Sequence, residues 1–214
     1  MRKKLFIFGA GAVVKDICII IDKINDIKPI WTVLGFVEND KNLSGKSILG
    51  LPIINFSELP DSNEIYGICG IMDPKLKKII VNKEIREKGY KLATIIHPDI
   101  DCPEDTKIGH GAIIFSGVKI SCNVEIGSCV WLDKNVLLGH STEIGDYSSI
   151  MPSTVISGMC KLGSGCTVGA GAILYQNINI GDDSLIGIGT TVINNIPGKS
   201  SVIDFPRKII RENM

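Results

Sequence analysis

Hydrophobic positions recur every six residues along the second half of the chain. From Ile108 to Val192, each sixth residue is isoleucine, leucine or valine without exception. Four places after each of these lies a small or β-branched residue, from Ala112 to Ile196. A period of six fits neither the 3.6-residue repeat of a helix nor the two-residue alternation of a strand. It predicts a β-helix of hexapeptides, in which three hexads close one triangular coil of about 18 residues.

The two repeated positions define the interior of this predicted β-helix. Each coil hydrogen-bonds to the coils above and below it, so that like residues stack on like. The long aliphatic residue fills the interior, and the residue four places later must be small because the three walls converge there. The hexads predict about five coils, whose other positions face outward and are free for function.

The first part of the chain follows a different pattern. An apolar run at residues 5–8 precedes Gly9, Gly11 and Ala12, and residues 13–24 carry apolar side chains at helical spacing. Further apolar runs at 33–37 and 65–69 alternate with polar and helical segments, which indicates a small parallel sheet. Ligands of such sheets bind at the carboxyl ends of the strands, here near Gly9 to Ala12, Glu38 and Gly70.

The glycine turn after the first apolar run offers two interpretations. Val14 occupies the place where a dinucleotide fingerprint requires glycine or alanine, so NAD is not expected. Backbone N–H groups at the start of the following helix could bind a phosphate group. Alternatively, Gly9 and Gly11 only permit the turn.

Composition narrows the function classes. The chain has 214 residues with 23 basic and 23 acidic side chains, which favours neither nucleic acid nor an acidic membrane surface as a partner. The apolar run at residues 5–8 is too short for a signal peptide, so a cytoplasmic protein is expected. Seven cysteines without CxxC spacing are expected to be mostly reduced core residues.

The three histidines can be placed by counting hexads. His97 lies at the junction of the two parts, and His110 is the third residue of the first hexad. His140 is the third residue of the hexad that begins at Leu138, so it points outward near the middle of the stack. Gly158 lies 18 residues later, one predicted coil along. An imidazole at such a place can accept a proton near neutral pH.

With these motifs assembled, the chain resembles a family of bacterial sugar acetyltransferases. That family includes sialic acid O-acetyltransferases and N-acetyltransferases acting on UDP- or GDP-linked 4-amino sugars. The resemblance rests on GAGAVVK at 9–15, VLGFVEND at 33–40, the Cys69-Gly70 turn, IIHPD at 95–99, the hexads and the segment that ends at 204–208.

The resemblance implies an α/β N-terminal domain with a small Rossmann-like parallel sheet, followed by a left-handed parallel β-helix of about five coils. The expected boundaries are 1–95 for the sugar-nucleotide-binding domain, 96–197 for the acyltransferase β-helix and 198–214 for a C-terminal tail. It also implies a homotrimer in which acetyl-CoA, used without a metal, lies between the coils of two subunits. The expected reaction is acetylation of the amino group of a nucleotide-linked sugar, with O-acetylation of a sialic acid or other sugar as the alternative.

The resemblance also implies roles for individual residues. His140 is the expected general base, and the backbone N–H of Gly158 is the expected oxyanion donor. Ala170 and Ile188, together with Gly158, are expected to contact the coenzyme. Gly9, Gly11, Ala12 and Gly70 are expected to bind the sugar nucleotide. Alternatively, each glycine could serve only to allow a tight turn of the backbone.

Two departures from the family pattern affect this site. Ser141 follows the histidine where relatives commonly carry an acidic partner, and a hydroxyl could orient the ring without adding charge. Ser149 lies where some relatives carry a second, coenzyme-contacting histidine. Glu143 could substitute for the acidic partner, but it shares a column with Lys107, Glu125 and Lys161, which favours a solvated charge ladder.

Outward apolar residues indicate a partner surface, because the interior is already filled. These residues are Ile113, Phe115, Trp131, Met151, Met159, Tyr175 and Leu185. We therefore expect a trimer with His140 near the boundary between subunits.

Two other classes use hexads. A γ-type carbonic anhydrase would need three convergent histidines, but His110 and His140 fall on different corners of the predicted coil. A non-catalytic β-helix that serves as a spacer would not bind acetyl-CoA.

Overall fold

The computed structural model describes residues 2–43 and 45–204. Its N-terminal region is a six-stranded sheet with the order β3-β4-β2-β1-β5-β6, parallel except for the β3–β4 pair. The strands are β1 Lys3–Phe8, β2 Trp31–Val37, β3 Ser47–Ile48, β4 Leu51–Ile54, β5 Tyr66–Cys69 and β6 Lys91–Leu92. Helices α1 (Val14–Ile27) and α2 (Pro74–Ile80) follow β1 and β5, and a short 3-10 helix spans Phe56–Glu58.

The two helices begin differently. α1 has no side-chain cap and buries one apolar face, which includes Val14, Ile17 and Ile21, against the sheet. α2 begins at Asp73, whose carboxylate accepts the backbone N–H of Leu76 at 2.7 Å. Such a cap satisfies a free N–H group of the first turn. A π-helical turn, Val81–Ile85, continues the chain beyond α2.

The hexads form the predicted parallel β-helix, with three faces of two-residue strands. The first face contains Ile95–Ile96, Ile113–Ile114, Trp131–Leu132, Ser149–Ile150, Thr167–Val168, Leu185–Ile186 and Ser201–Val202. The second face contains Lys119–Ile120, Leu137–Leu138, Val155–Ile156, Ile173–Leu174 and Thr191–Val192. The third face contains Lys107–Ile108, Glu125–Ile126, Glu143–Ile144, Lys161–Leu162 and Asn179–Ile180.

The prediction of about five coils is wrong, because the β-helix is longer than its strict hexads. The second and third faces carry five strands each, whereas the first face carries seven. Ile95–Ile96 pairs with Ile113–Ile114 below the first hexad, and Ser201–Val202 pairs with Leu185–Ile186 at the far end. Cys102 interrupts the aliphatic spacing between Ile96 and Ile108, and Val202 falls outside the six-residue spacing, so counting unbroken hexads could not find these outer strands.

The interior follows the two repeated positions. The aliphatic residues of the hexads form one continuous buried cluster from Ile114 to Val192. Buried hydroxyls at the small position satisfy carbonyl groups of their own corners: Thr142 donates to Gly139 O and Thr154 to Met151 O, both at 2.8 Å. All seven cysteines lie in the described part of the chain and are free thiols.

The N-terminal region covers part of the first face of the β-helix. Ile113, Phe115 and Trp131 are each at most 2% exposed and belong to the same buried cluster as α1 and the sheet. Their expected role in contacting another subunit is therefore wrong, because their partner belongs to the same chain. An ion pair of 2.7 Å between Lys134 and Asp16 also crosses this junction.

Within residues 2–43 and 45–204, neither helix combines the length and the apolar character that a bilayer span requires.

Candidate functional site

The structure brings His140 and Gly158 into contact. His140 is exposed at the corner between the second and third faces. A Cβ atom built on Gly158 would lie 2.7 Å from Nε2 of His140 and 2.9 Å from its Cδ2. The imidazole therefore packs directly against Gly158 of the next coil, where a side chain on any other residue would displace the ring.

The backbone N–H of Gly158 is available to a ligand. Its neighbours are engaged in the coil ladder: Ser157 N–H donates to Leu174 O, and Met159 N–H donates to His140 O. For Gly158 N–H itself, no acceptor is found in the part of the chain that the structure describes. A free donor beside an imidazole is the arrangement that could stabilise a developing oxyanion.

Ala170 and Ile188 lie at a different corner, between the first and second faces. They stack on successive coils, since Gly189 N–H donates to Ala170 O at 2.9 Å, and Ile188 is 80% exposed. The whole second face separates them from His140 and Gly158. A single protomer therefore does not bring the predicted base together with the predicted coenzyme contacts at Ala170 and Ile188.

The second face is an uncovered apolar surface between these two corners. Its outward residues Leu137 and Ile173 are 43% and 44% exposed, and Met159 and Tyr175 flank them. Tyr175, Met159 and Leu185 remain exposed as the sequence predicted. The third face is instead polar, with Glu143 bonded to Lys161 and Glu125 to Lys107. Glu143 is thus occupied by an ion pair of the charge ladder.

The predicted N-terminal binding residues divide into two groups. Gly9 has a φ of +115° and lines a cavity of about 250 Å³ with Glu38, Asn39 and Glu84 at the carboxyl ends of the strands. Burial raises the pKa of Glu84, while the amide of Asn39 that donates to it acts in the opposite direction.

Gly11 and Ala12 are exposed at the start of α1 and do not line that cavity. Gly70 is buried, and a Cβ atom there would lie 3.0 Å from Val14 Cγ1 and 3.3 Å from Ile17 Cδ1. Its missing side chain therefore lets α1 pack closely on β5. Ligand contacts at these three residues stay a prediction.

A larger cavity lies elsewhere. It measures about 630 Å³, and Lys3, Trp31 and Tyr66 line it at the amino ends of the strands, beside His110 of the β-helix. None of the predicted site residues borders it, so its size alone assigns no role. His110 and His140 lie at different corners, and His97 is buried.

A buried lysine lies at the junction of the two regions, and no pattern in the sequence predicts it. Lys77 of α2 is 2% exposed, and its ammonium group donates to Ser149 Oγ at 2.7 Å and to Tyr147 O at 3.2 Å. The hydroxyl of Ser149 donates in turn to Met72 O. Burial lowers the pKa of Lys77 to about 8, opposed by the thiols of Cys69 and Cys129. Ser149 thus anchors α2 to the first face.

Replacing Lys77 by methionine is expected to change how stability depends on pH. The folded pKa of about 8 lies below the ordinary value of 10.5, so the unfolded chain binds this proton more tightly. Stability contributed by the wild-type lysine should therefore rise with pH between those two values. The free energy of unfolding is measured with urea at about pH 7 and about pH 9.5. Between these two values it should rise by on the order of 2 kcal/mol more for the wild type than for Lys77→Met.

Comparison with Lys77→Met isolates this lysine, because both proteins share the buried thiols, whose pKa values are raised by burial. If the free energies of unfolding of the two proteins changed in parallel with pH, the ammonium group would not be desolvated.

Comparisons with known proteins agree with this architecture. No family model matches the chain. The chain is similar to a GDP-perosamine N-acetyltransferase of Escherichia coli O157:H7, with 29% identity over 185 residues that cover 80% of this chain and 78% of that protein. It is also similar to a serine acetyltransferase of Helicobacter pylori strain 26695, with 30% identity over 134 residues that cover 58% of this chain and 78% of that protein.

Two solved structures share the fold over nearly the whole chain. PerB from Caulobacter crescentus, in complex with CoA and GDP-perosamine, superposes with a TM-score of 0.81 at 22% identity, covering 97% of each chain. The acetyltransferase domain of PglB from Neisseria gonorrhoeae, in complex with acetyl coenzyme A, gives a TM-score of 0.80 at 20% identity over 94% of this chain and 97% of that one. The resemblance noted from the sequence motifs is confirmed.

Proposed function

We propose that this chain, which belongs to the hexapeptide-repeat acyltransferases, transfers an acetyl group from acetyl-CoA to the amino group of a nucleotide-linked amino sugar. The observation that carries the proposal is the imidazole of His140 lying over Gly158, beside a backbone N–H group without a protein partner among the described residues. The substrate class is supported by the E. coli relative and by PerB, whose structure holds CoA and GDP-perosamine.

The two residues divide the chemistry between them. Nε2 of His140 accepts a proton from the sugar amine while the amine nitrogen forms a bond to the thioester carbonyl carbon. The N–H of Gly158 donates to the carbonyl oxygen as negative charge develops there. The carbon–sulfur bond then breaks, and His140 returns the proton to the sulfur of CoA.

We propose a homotrimer, because the site is incomplete in one protomer. The uncovered second face lies between the corner of His140 and the corner of Ala170 and Ile188. A second copy packed on this face can bring its Ala170 corner beside the first copy's His140. Burial of Leu137, Met159, Ile173 and Tyr175 would favour that contact by the hydrophobic effect.

The remaining assignments complete the proposal. The β-helix winds to the left, and the sugar nucleotide lies at the carboxyl ends of β1, β2 and β5, near Gly9, Gly11, Ala12 and Gly70. The units are residues 1–95, 96–197 and 198–214. Of the proposed tail, Ser201–Val202 pairs with the β-helix, and residues 205–214 lie outside the described residues. The cytoplasmic location stays a prediction.

The substrate class can be tested with the purified protein. Acetyl-CoA is offered with UDP-, GDP- and dTDP-linked 4-amino sugars and with free sialic acids, and CoA release and product mass are measured. We expect one amino sugar nucleotide to gain an acetyl group on its nitrogen. Acetylation of a sialic acid hydroxyl alone would favour the O-acetyltransferase alternative, and failure to bind acetyl-CoA in calorimetry would contradict both.

A further inference from the structure

A hydroxyl and an amide lie in series beside the ring of His140. Ser141 Oγ is 3.5 Å from His140 Nδ1, and the side-chain amide of Asn123 donates to Ser141 Oγ at 3.3 Å. Asn123 belongs to the coil below, 18 residues earlier. The opposite ring nitrogen, Nε2, faces Gly158 of the coil above. The ring is thus contacted on one side by neutral polar groups and on the other by the proposed oxyanion donor.

The backbone holds both neighbours in place. Asn123 and Ser141 have φ values of 56° and 58°, in the left-handed region that favours glycine and tolerates asparagine. Asn123 N–H donates to the carboxylate of Asp105 at 2.8 Å, and Ser141 N–H donates to Cys122 O at 3.0 Å.

The corner itself does not require a hydroxyl. Glycine occupies the corresponding place of other hexads at Gly117, Gly165 and Gly171, each with positive φ. The left-handed conformation alone would therefore favour glycine at position 141. The contact with the imidazole gives the serine side chain a role that the backbone does not.

We infer that Asn123 and Ser141 are positioning residues that fix the orientation of the His140 imidazole. Nδ1–H of His140 donates a hydrogen bond to Ser141 Oγ, which leaves Nε2 without a proton and directed at Gly158, and Asn123 holds the hydroxyl in that place. The inference rests on the proposed function. Hydrogen bonds of this kind are often long before substrate binds and shorten in the complex. The pair orients the ring without adding negative charge, and the nearby Glu143 is bonded to Lys161 instead.

The first test removes the amide or the hydroxyl from the corner. Asn123→Gly keeps the left-handed conformation, and Ser141→Ala removes the hydroxyl. We expect each variant to lower kcat roughly fivefold to tenfold, the effect of one neutral hydrogen bond, with KM for acetyl-CoA within about twofold. The double variant should lose no more than either single one, because both act through the same contact.

A matched control is Asp183→Gly, which removes a polar side chain of the same backbone conformation, φ 56°, from the corner between the third and first faces, away from the proposed site. It should keep wild-type kcat. Full activity of Asn123→Gly, or independent and additive losses in the double variant, would overturn the inference.

The second test uses charge. Ser141→Asp places a carboxylate beside Nδ1, which stabilises the protonated ring, so the acidic limb of the kcat/KM profile should move to higher pH by about one unit. Ser141→Ala should leave that limb in place. An unmoved limb in Ser141→Asp would show that position 141 does not contact the ring. Retention of activity in His140→Ala would instead contradict the proposed base, which separates failure of the function from failure of this inference.

Discussion

The His140→Ala variant is expected to lose about 10² to 10⁴ of kcat, the usual contribution of a general base. Its KM for acetyl-CoA should change little, because the proposed coenzyme contacts at Gly158, Ala170 and Ile188 do not include the imidazole. The N–H of Gly158 remains in place and still stabilises the oxyanion, so a residual rate above the uncatalysed reaction should persist. Steady-state kinetics with the amino sugar nucleotide found in the substrate panel measures the loss.

His110→Ala is the matched control for this experiment. It removes an exposed imidazole from the same place in an earlier hexad, at a corner that contains none of the proposed catalytic residues. Light scattering and CoA calorimetry should give the same oligomer and the same affinity for both variants. Equal activity of His140→Ala and His110→Ala would assign the base to another residue.

The β-helix could be predicted from the sequence because its interior tolerates only two kinds of side chain at fixed positions. An aliphatic residue at each sixth position and a small residue four places later leave one way to close the coil. The stacking of His140 under Gly158 followed from the same count, since residues 18 apart lie on successive coils. Local periodicity thus determines both the fold and the neighbours along one column.

Contacts between the two regions could not be predicted in this way. Trp131 faces outward by its place in the hexad, and only the packing of the N-terminal region decides that its partner is intramolecular. Lys77 belongs to a helix with several lysines, and its burial depends on where that helix meets Ser149. The strand Ile95–Ile96 precedes the strict repeat and joins the first face through backbone hydrogen bonds. Each of these features depends on tertiary placement, which a linear period does not contain.

The placement of the site on two corners leads to a prediction about mixed oligomers. His140→Ala removes the base, and Ala170→Trp fills the corner proposed for the coenzyme. Each variant alone should be nearly inactive. In a mixed trimer, however, His140 of an Ala170→Trp chain can face the intact Ala170 corner of a His140→Ala chain. In a mixed trimer of either composition, one of the three sites joins an intact base to an intact corner, so about a third of its sites should be complete.

Co-expression with two different affinity tags, followed by sequential purification, isolates the mixed oligomer for this assay. Recovery of about a third of the wild-type kcat is expected, starting from variants that each retain about 1% or less. His140→Ala co-expressed with the double variant His140→Ala/Ala170→Trp is the control, because no chain in that mixture supplies a base. If the mixed trimer stayed as inactive as its parents, the base and the coenzyme corner would have to act within one chain. The second face of the β-helix, which separates them by its full width, argues against that arrangement.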